Sequence, residues 1–200
     1  MRSGTEQDEV GVPADLDAAF PDGALLDDRY LVDRARTGST AAFELLVTRH
    51  QQQVLRVASR LVGDPAAAED VAQDALVSAW RALPGFRGDS SFATWLHRIT
   101  TNAARQHVAR RRPTVPLTGE EPLPVAEQTE DLALAAARTR ALRAAVRALP
   151  FEQRAALVLV QFEGLSYTHA AATLEVPEPT LRGRVARARR ALLEQLRSWR

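Results

Sequence analysis

Apolar residues recur every three or four positions along most of this chain, and no stretch alternates with a period of two. The pattern predicts helices and no sheet. A short helix is expected from Leu26 to Arg36, ended by Gly38. Ser39 or Thr40 then caps a longer one, in which Phe43, Leu46, Val47, Val54, Ala58 and Leu61 form the buried stripe and Gly63 is the stop. Asp64-Pro65 supplies an N-cap and a first helical residue for the next helix. That helix runs to about Leu83, with Ala68, Val71, Ala72, Ala75, Leu76, Ala79 and Trp80 inward, and Pro84-Gly85 breaks it. A loop from Phe86 to Ser91 leads into a helix from about Phe92 to Arg111.

Four prolines and a glycine between Pro113 and Pro124 interrupt the pattern, which resumes from Leu132 to Leu149. Pro150 opens a further helix closed by Gly164. Two shorter helices come next, Ser166 to Leu174 and Pro179 to about Arg197. The expected fold is all-α. A flexible acidic tail covers 1–25, a first helical domain 26–112, an acidic proline-rich linker 113–131 and a second helical domain 132–200. The length of 200 residues suits one ordinary domain or two small ones, of roughly 100–200 residues each.

Charge sharpens this division. The net charge is only +1, yet the segments carry −7 (1–28), +6 (29–112), −5 (113–137) and +7 (138–200). Two basic blocks flanked by acidic chain suggest a polyanion partner. Every basic residue is arginine. Because lysine is missing from inert surfaces too, that bias reads as genome composition rather than function. With no cysteine, a disulfide scaffold, a thiolate zinc site and a cysteine nucleophile are excluded. The longest apolar runs are far below the roughly 18 residues a membrane span needs, and the acidic start is no signal peptide. A cytoplasmic protein without membrane insertion is expected.

Three places carry candidate chemistry. The last two helices, joined by the Val176-Pro177 turn, have the form of a helix-turn-helix. The second buries Leu181, Val185, Ala188 and Leu192 and leaves Thr180, Arg182, Gly183, Ala186 and Arg187 outward. Five arginines and no acid lie between Arg182 and Arg190, as suits a helix in the major groove, although an arginine-covered solvent face would look the same. The helix after Phe92 carries Arg98, Arg105 and Arg110 without an acid, beside the rings of Phe86, Phe92 and Trp95. Cations with rings suit single-stranded nucleic acid, but Trp95 reads first as core. Asp70, Gln73 and Asp74 share one helical face, with Glu69 adjacent. That patch reads as a protein-docking face or a solvated one. His50, His97, His107 and His169 form no metal spacing, and no phosphate-cradling glycine loop or hydrolase motif is present. No catalytic residue, metal or cofactor is expected.

Together these stretches resemble the extracytoplasmic-function group of bacterial RNA polymerase sigma factors. Phe86-Arg87-Gly88-Asp89-Ser90-Ser91-Phe92-Ala93-Thr94-Trp95-Leu96-His97-Arg98-Ile99, with Asn102, resembles the promoter-melting segment. Ala68-Glu69-Asp70-Val71-Ala72-Gln73-Asp74 resembles the core-polymerase-binding helix. Leu149-Pro150, Arg154, Gly164-Leu165-Ser166-Tyr167 and Thr180 to Arg189 resemble the promoter-reading C-terminal domain. The resemblance spans about Asp27 to Leu196.

It implies that Glu69, Asp70, Gln73 and Asp74 dock on core RNA polymerase, whose beta and beta-prime subunits are the expected partners. Phe86, Arg87, Gly88, Asp89, Ser90, Ser91 and Phe92, with Asn102, would hold a base flipped from the non-template strand at the minus-ten element. Arg98, Arg105 and Arg110 would contact the neighbouring backbone. Thr180, Arg182, Gly183, Arg184, Ala186 and Arg187 would read the minus-thirty-five duplex. An anti-sigma factor is a further expected partner, and the free chain should be a monomer. The alternative is a dimeric helix-turn-helix regulator that binds operators without being a polymerase subunit.

The chain departs from the family pattern at several places. His169 stands where Glu is usual and removes half of a capping box at Ser166. Glu175 stands where the turn usually has Gly, and holding it left-handed should cost about 1–2 kcal/mol. Pro179 and Gly183 replace Gly and Ser, and Gln106 replaces Asp.

Overall fold

A computed structural model of the chain describes residues 26–110 and 130–197. The 1–25 tail and most of the 113–131 linker lie outside the described residues.

The first unit is built on breaks that the chain supplies itself. Helix α1 (Asp28–Arg36) ends at Gly38, whose φ of 99° lets the chain turn left-handed. Ser39 then accepts a hydrogen bond from the Ala42 N–H and opens α2 (Thr40–Val62). Gly63, at φ 77°, closes α2 as its N–H reaches the Ser59 carbonyl at 2.9 Å. Pro65 occupies the first position of α3 (Pro65–Ala82), which tightens into a 3₁₀ turn at Leu83–Gly85. Beyond the 86–91 loop, Ser91 Oγ accepts from the Thr94 N–H and starts α4 (Phe92–Arg110). Leu46, Val54, Val57 and Leu61 of α2, Val71, Ala75 and Ala79 of α3, and Leu96 and Ala104 of α4 are buried where the three helices meet.

The second unit comprises α5 (Glu130–Ala148), α6 (Phe151–Leu157), α7 (Tyr167–Thr173) and α8 (Glu178–Gln195). Ser166 Oγ caps α7 by accepting from the His169 N–H at 3.1 Å, so half of the capping box survives without a glutamate. The turn between α7 and α8 carries Glu175 at φ 54°, the one left-handed non-glycine among the described residues. Leu181, Val185 and Ala188 bury the inner side of α8.

Two features differ from the pattern expected of the sequence. Helix α6 does not run evenly to Gly164: Val158–Phe162 form a π-helical turn, closed by the Glu163 N–H on the Val158 carbonyl. Such a turn inserts one extra residue and re-aims the chain beyond it. Second, Trp80 is not inward on α3 but lies at its edge, 36% exposed and 4.8 Å from the Phe43 ring. Its indole caps the helix pair at a place where nothing further covers it among the described residues.

The two units touch. Helix α4 packs beside α7, and α2 beside α5, α6 and the π-turn. Buried residues of the first unit share one continuous apolar cluster with Ala155, Ala156, Ala170, Ala171, Leu181 and Val185, whereas Leu157 and Ala188 pack with Val146 and Leu149 in a smaller one.

Candidate nucleic-acid and polymerase interfaces

Helix α3 presents Glu69, Asp70, Gln73 and Asp74 to solvent, as the i, i+4 spacing dictates. Beside this row runs an apolar groove of about 320 Å³ lined by Thr40, Phe43, Glu44, Leu76, Val77 and Trp80. A second hollow, lined by Leu55, Ala72, Gln73 and Leu76 among others, adjoins it. Val77 is 42% exposed in the groove. The groove residues are hard to find from sequence because Phe43 and Trp80 carry the period of a buried stripe. Only their position at the ends of the two stripes sets them apart.

In the 86–91 loop, Arg87, Gly88, Asp89 and Ser91 are exposed and Ser90 is half-buried. Gly88 has φ 78°, and Arg87 Nε donates to Asp89 across it at 3.1 Å. The rings behave differently. Phe86 and Phe92 are only 7% and 6% exposed and meet at 6.4 Å, edge to face, while Trp95 lies 4.9 Å from Phe86 and 5.6 Å from Phe92. The aromatic cluster therefore anchors the loop from below instead of offering a free face to a base. On α4, Arg105 Nη1 donates to Asn102 at 2.7 Å and its Nε to Glu152 at 3.1 Å, Arg98 pairs with Glu175, and Arg110 donates to Gln106 at 3.4 Å, so this arginine row is held partly by its own helix and partly by the second unit.

On α8, Thr180, Arg182, Ala186 and Arg187 are exposed and Gly183 is half-buried. Arg182 is held on three sides. Its Nε and Nη2 donate to Glu178 Oε1 at 2.9 and 2.6 Å, and its guanidinium lies 4.4 Å above the Tyr167 ring. Thr168 Oγ1 donates to the other oxygen of Glu178, and these bonds hold that carboxyl below its usual range. Arg184 departs from expectation: it is folded inward, 2.8 Å from Glu152, away from the exposed set. At 100° per residue it lies between exposed Arg187, at i+3, and buried Ala188, at i+4, and the Glu152 carboxylate draws it to the inner side.

Buried charge concentrates where the units meet. Burial by itself would raise the Glu163 carboxyl, but the His97 imidazole, the Gln53 amide and the Arg60 charge outweigh it and hold it low. Its stabilising pairing is therefore complete above the ordinary glutamate value of 4.5 and is lost as pH falls through the lower folded value. The melting temperature should drop more steeply with acid in the natural chain than in Glu163→Gln. Parallel profiles in a thermal-melt pH series would refute this.

Among the described residues no group of three His, Cys, Asp or Glu stands ready to hold a metal ion, and no helix is long and apolar enough to cross a membrane.

Family models match within both units of the fold. The family model for sigma-70 region 2 matches residues 46–114, and that for sigma-70 region 4 matches residues 139–192. The RNA polymerase sigma-H factor of Pseudomonas aeruginosa is 39% identical over 176 residues, covering 82% of this chain and 91% of that protein. The ECF RNA polymerase sigma-E factor of Escherichia coli is 37% identical over 180 residues, covering 84% and 93%. Among solved structures, CnrH in complex with the cytosolic domain of CnrY superposes with a TM-score of 0.65 at 30% identity, covering 86% of this chain and 97% of that one. The sigma factor RpoE in complex with the anti-sigma factor NepR, from Bartonella quintana, gives 0.63 at 27%, covering 79% and 98%. These likenesses favour a polymerase subunit over a free-standing operator-binding regulator. The chain belongs to the extracytoplasmic-function group of sigma-70 family RNA polymerase sigma factors.

Proposed function

We propose that the faces described above divide the work of transcription initiation, the first unit (26–112) docking on polymerase and melting DNA, the second (132–200) reading duplex, and residues 113–131 tethering them. The acidic row of Glu69, Asp70, Gln73 and Asp74 meets positively charged helix on the polymerase largest subunit, while Phe43, Val77 and Trp80 receive its apolar side chains. The observation that supports this is the adjacency of four exposed polar side chains to an open apolar groove. An apolar centre with a polar rim is the usual anatomy of a protein-binding surface.

Above the Phe86, Phe92 and Trp95 cluster, the Arg87–Ser91 loop and Asn102 form the rim that traps a flipped minus-ten base, at an extrusion cost of a few kcal/mol. Arg98, Arg105 and Arg110 take the adjoining phosphates. Thr180, Arg182, Gly183, Ala186 and Arg187 read the minus-thirty-five major groove, and Arg184 secures α8 against α6. Because the polymerase fixes the spacing of the two units, two modest affinities multiply. The solved relative RpoE, bound to the anti-sigma factor NepR, supports a dedicated antagonist here too.

The docking face is tested with core polymerase and no DNA. Asp70→Ala/Gln73→Ala and, separately, Trp80→Ala should each weaken binding about tenfold or more, the scale of an interface hot spot. Unchanged affinity in all of these variants would remove the face from the polymerase contact.

A further inference from the structure

Helix α8 carries five arginines and two acids, and one of those acids, Glu178, is its first residue. Arg187 has no acid three or four positions away along the helix. Arg182, by contrast, has Glu178 one turn before it, in the order that favours pairing along a helix. An exposed pair at this spacing is individually weak, because its side chains are free to part. Here both partners are also held from the neighbouring helix. Thr168 Oγ1, in the first turn of α7, donates to Glu178 Oε2 at 2.9 Å, and the Tyr167 ring lies 4.4 Å from the Arg182 guanidinium. The clamp therefore spans the helix-turn-helix and forms only when α7 and α8 pack.

The clamp divides the guanidinium. Glu178 Oε1 accepts from Nε at 2.9 Å and from Nη2 at 2.6 Å, which occupies one edge of the planar fork. The next edge, formed by Nη1 and the remaining N–H of Nη2, takes no part in the pair. Two parallel donors of this kind match the O6 and N7 acceptors of guanine. In shape they match a phosphate equally well. Charge separates the two ligands. A guanine edge is neutral, whereas a phosphate on Arg182 also comes close to the Glu178 carboxylate and is repelled by it. The bonds from Arg182 and Thr168 hold that carboxyl below its usual range, so it is charged at neutral pH.

We propose that Glu178 is a specificity-determining residue of the duplex-reading face: it withholds Arg182 from phosphate and leaves the free edge to a guanine in the major groove. The proposal rests on the assignment of α8 to the minus-thirty-five duplex. An acid in the first turn also favours the helix dipole, but that role needs neither Arg182 nor Thr168 and leaves sequence preference untouched.

The full chain is first bound to a pool of double-stranded DNA randomised at its centre, and the bound fraction is sequenced. Affinity is then measured across a salt series for the most enriched duplex and for a scrambled duplex of the same composition. Glu178→Gln keeps the shape of the side chain and removes its charge. It should tighten scrambled-duplex binding about fivefold and add about one phosphate contact to the salt slope. It should also narrow the preference for the enriched duplex about tenfold, the scale of one bidentate base contact. A variant that binds DNA more tightly cannot owe its lost preference to misfolding. Glu194→Gln removes the acid at the far end of α8 and should leave the preference unchanged. Equal tightening on both duplexes in Glu178→Gln would overturn the proposal. A narrowed preference with an unchanged salt slope would overturn the exclusion of phosphate. A natural chain that binds the pool but enriches no sequence would overturn the assignment of α8, and the proposal with it.

Discussion

Arg182→Ala/Arg187→Ala is expected to lower affinity for the minus-thirty-five duplex by about a hundredfold or more, while binding of minus-ten single strand is unchanged. Arg182 is oriented before any DNA is bound, because Glu178 accepts two of its N–H groups and the Tyr167 ring lies beneath the guanidinium. Little rotamer freedom remains to be lost on binding. Arg187 is exposed one turn further on, close to Gly183, where a Cβ would meet its Nη1 at an ordinary 3.5 Å. Each well-placed arginine–base contact is worth about 1–3 kcal/mol of discrimination. Losing two should therefore flatten sequence preference as well as weaken binding. Measured duplex affinities for a promoter and for a scrambled site separate the two effects. A similar loss on both sequences would mean that these arginines touch phosphate alone.

Leu181→Ala should destabilise the C-terminal unit by about 2–5 kcal/mol, the cost of a large-to-small change in a closed core. Leu181 is fully buried, one position before Arg182 on α8, so the same turn of helix that exposes this arginine drives the packing. The nearby Val185 and Ala188 are buried as well and are too short to refill the space. Denaturant unfolding followed by helical signal would show the loss, and minus-thirty-five binding should fall with it. A loss below about 1 kcal/mol, outside the range of a closed-core truncation, would show that α8 is held mainly by its ion pairs.

How far the sequence alone reaches depends on which forces act. The helices are legible because glycine and proline punctuate a regular apolar period: Gly38, Gly63, Pro65 and Gly164 stand at the observed breaks. The left-handed turn at Glu175 is legible only through the family resemblance, which puts a glycine at that place, because no local glycine marks it. The π-turn at Val158–Phe162 is not, because one extra residue in a buried apolar run leaves the period nearly intact.

Side-chain partnership is hidden more completely. Arg184 belongs to an arginine row in sequence, yet Glu152, 32 positions earlier, draws it inward. Phe86 sits in a loop after a Pro-Gly break and still buries its ring among Phe92 and Trp95. Both outcomes depend on neighbours distant in the chain or on the far side of a turn, which spacing cannot encode. The polar row of Glu69, Asp70, Gln73 and Asp74 is visible as a helical face, whereas the groove beside it exists only once α2 and α3 pack.

The most direct test of the proposed function is transcription itself. Purified chain, core RNA polymerase and a pool of genomic promoter fragments are combined, and the run-off transcripts are sequenced. New start sites sharing two spaced upstream elements, lost when Asp70 and Gln73 are replaced, are the predicted result. Folded chain that binds duplex DNA as a dimer yet gives no transcripts with core polymerase would contradict it.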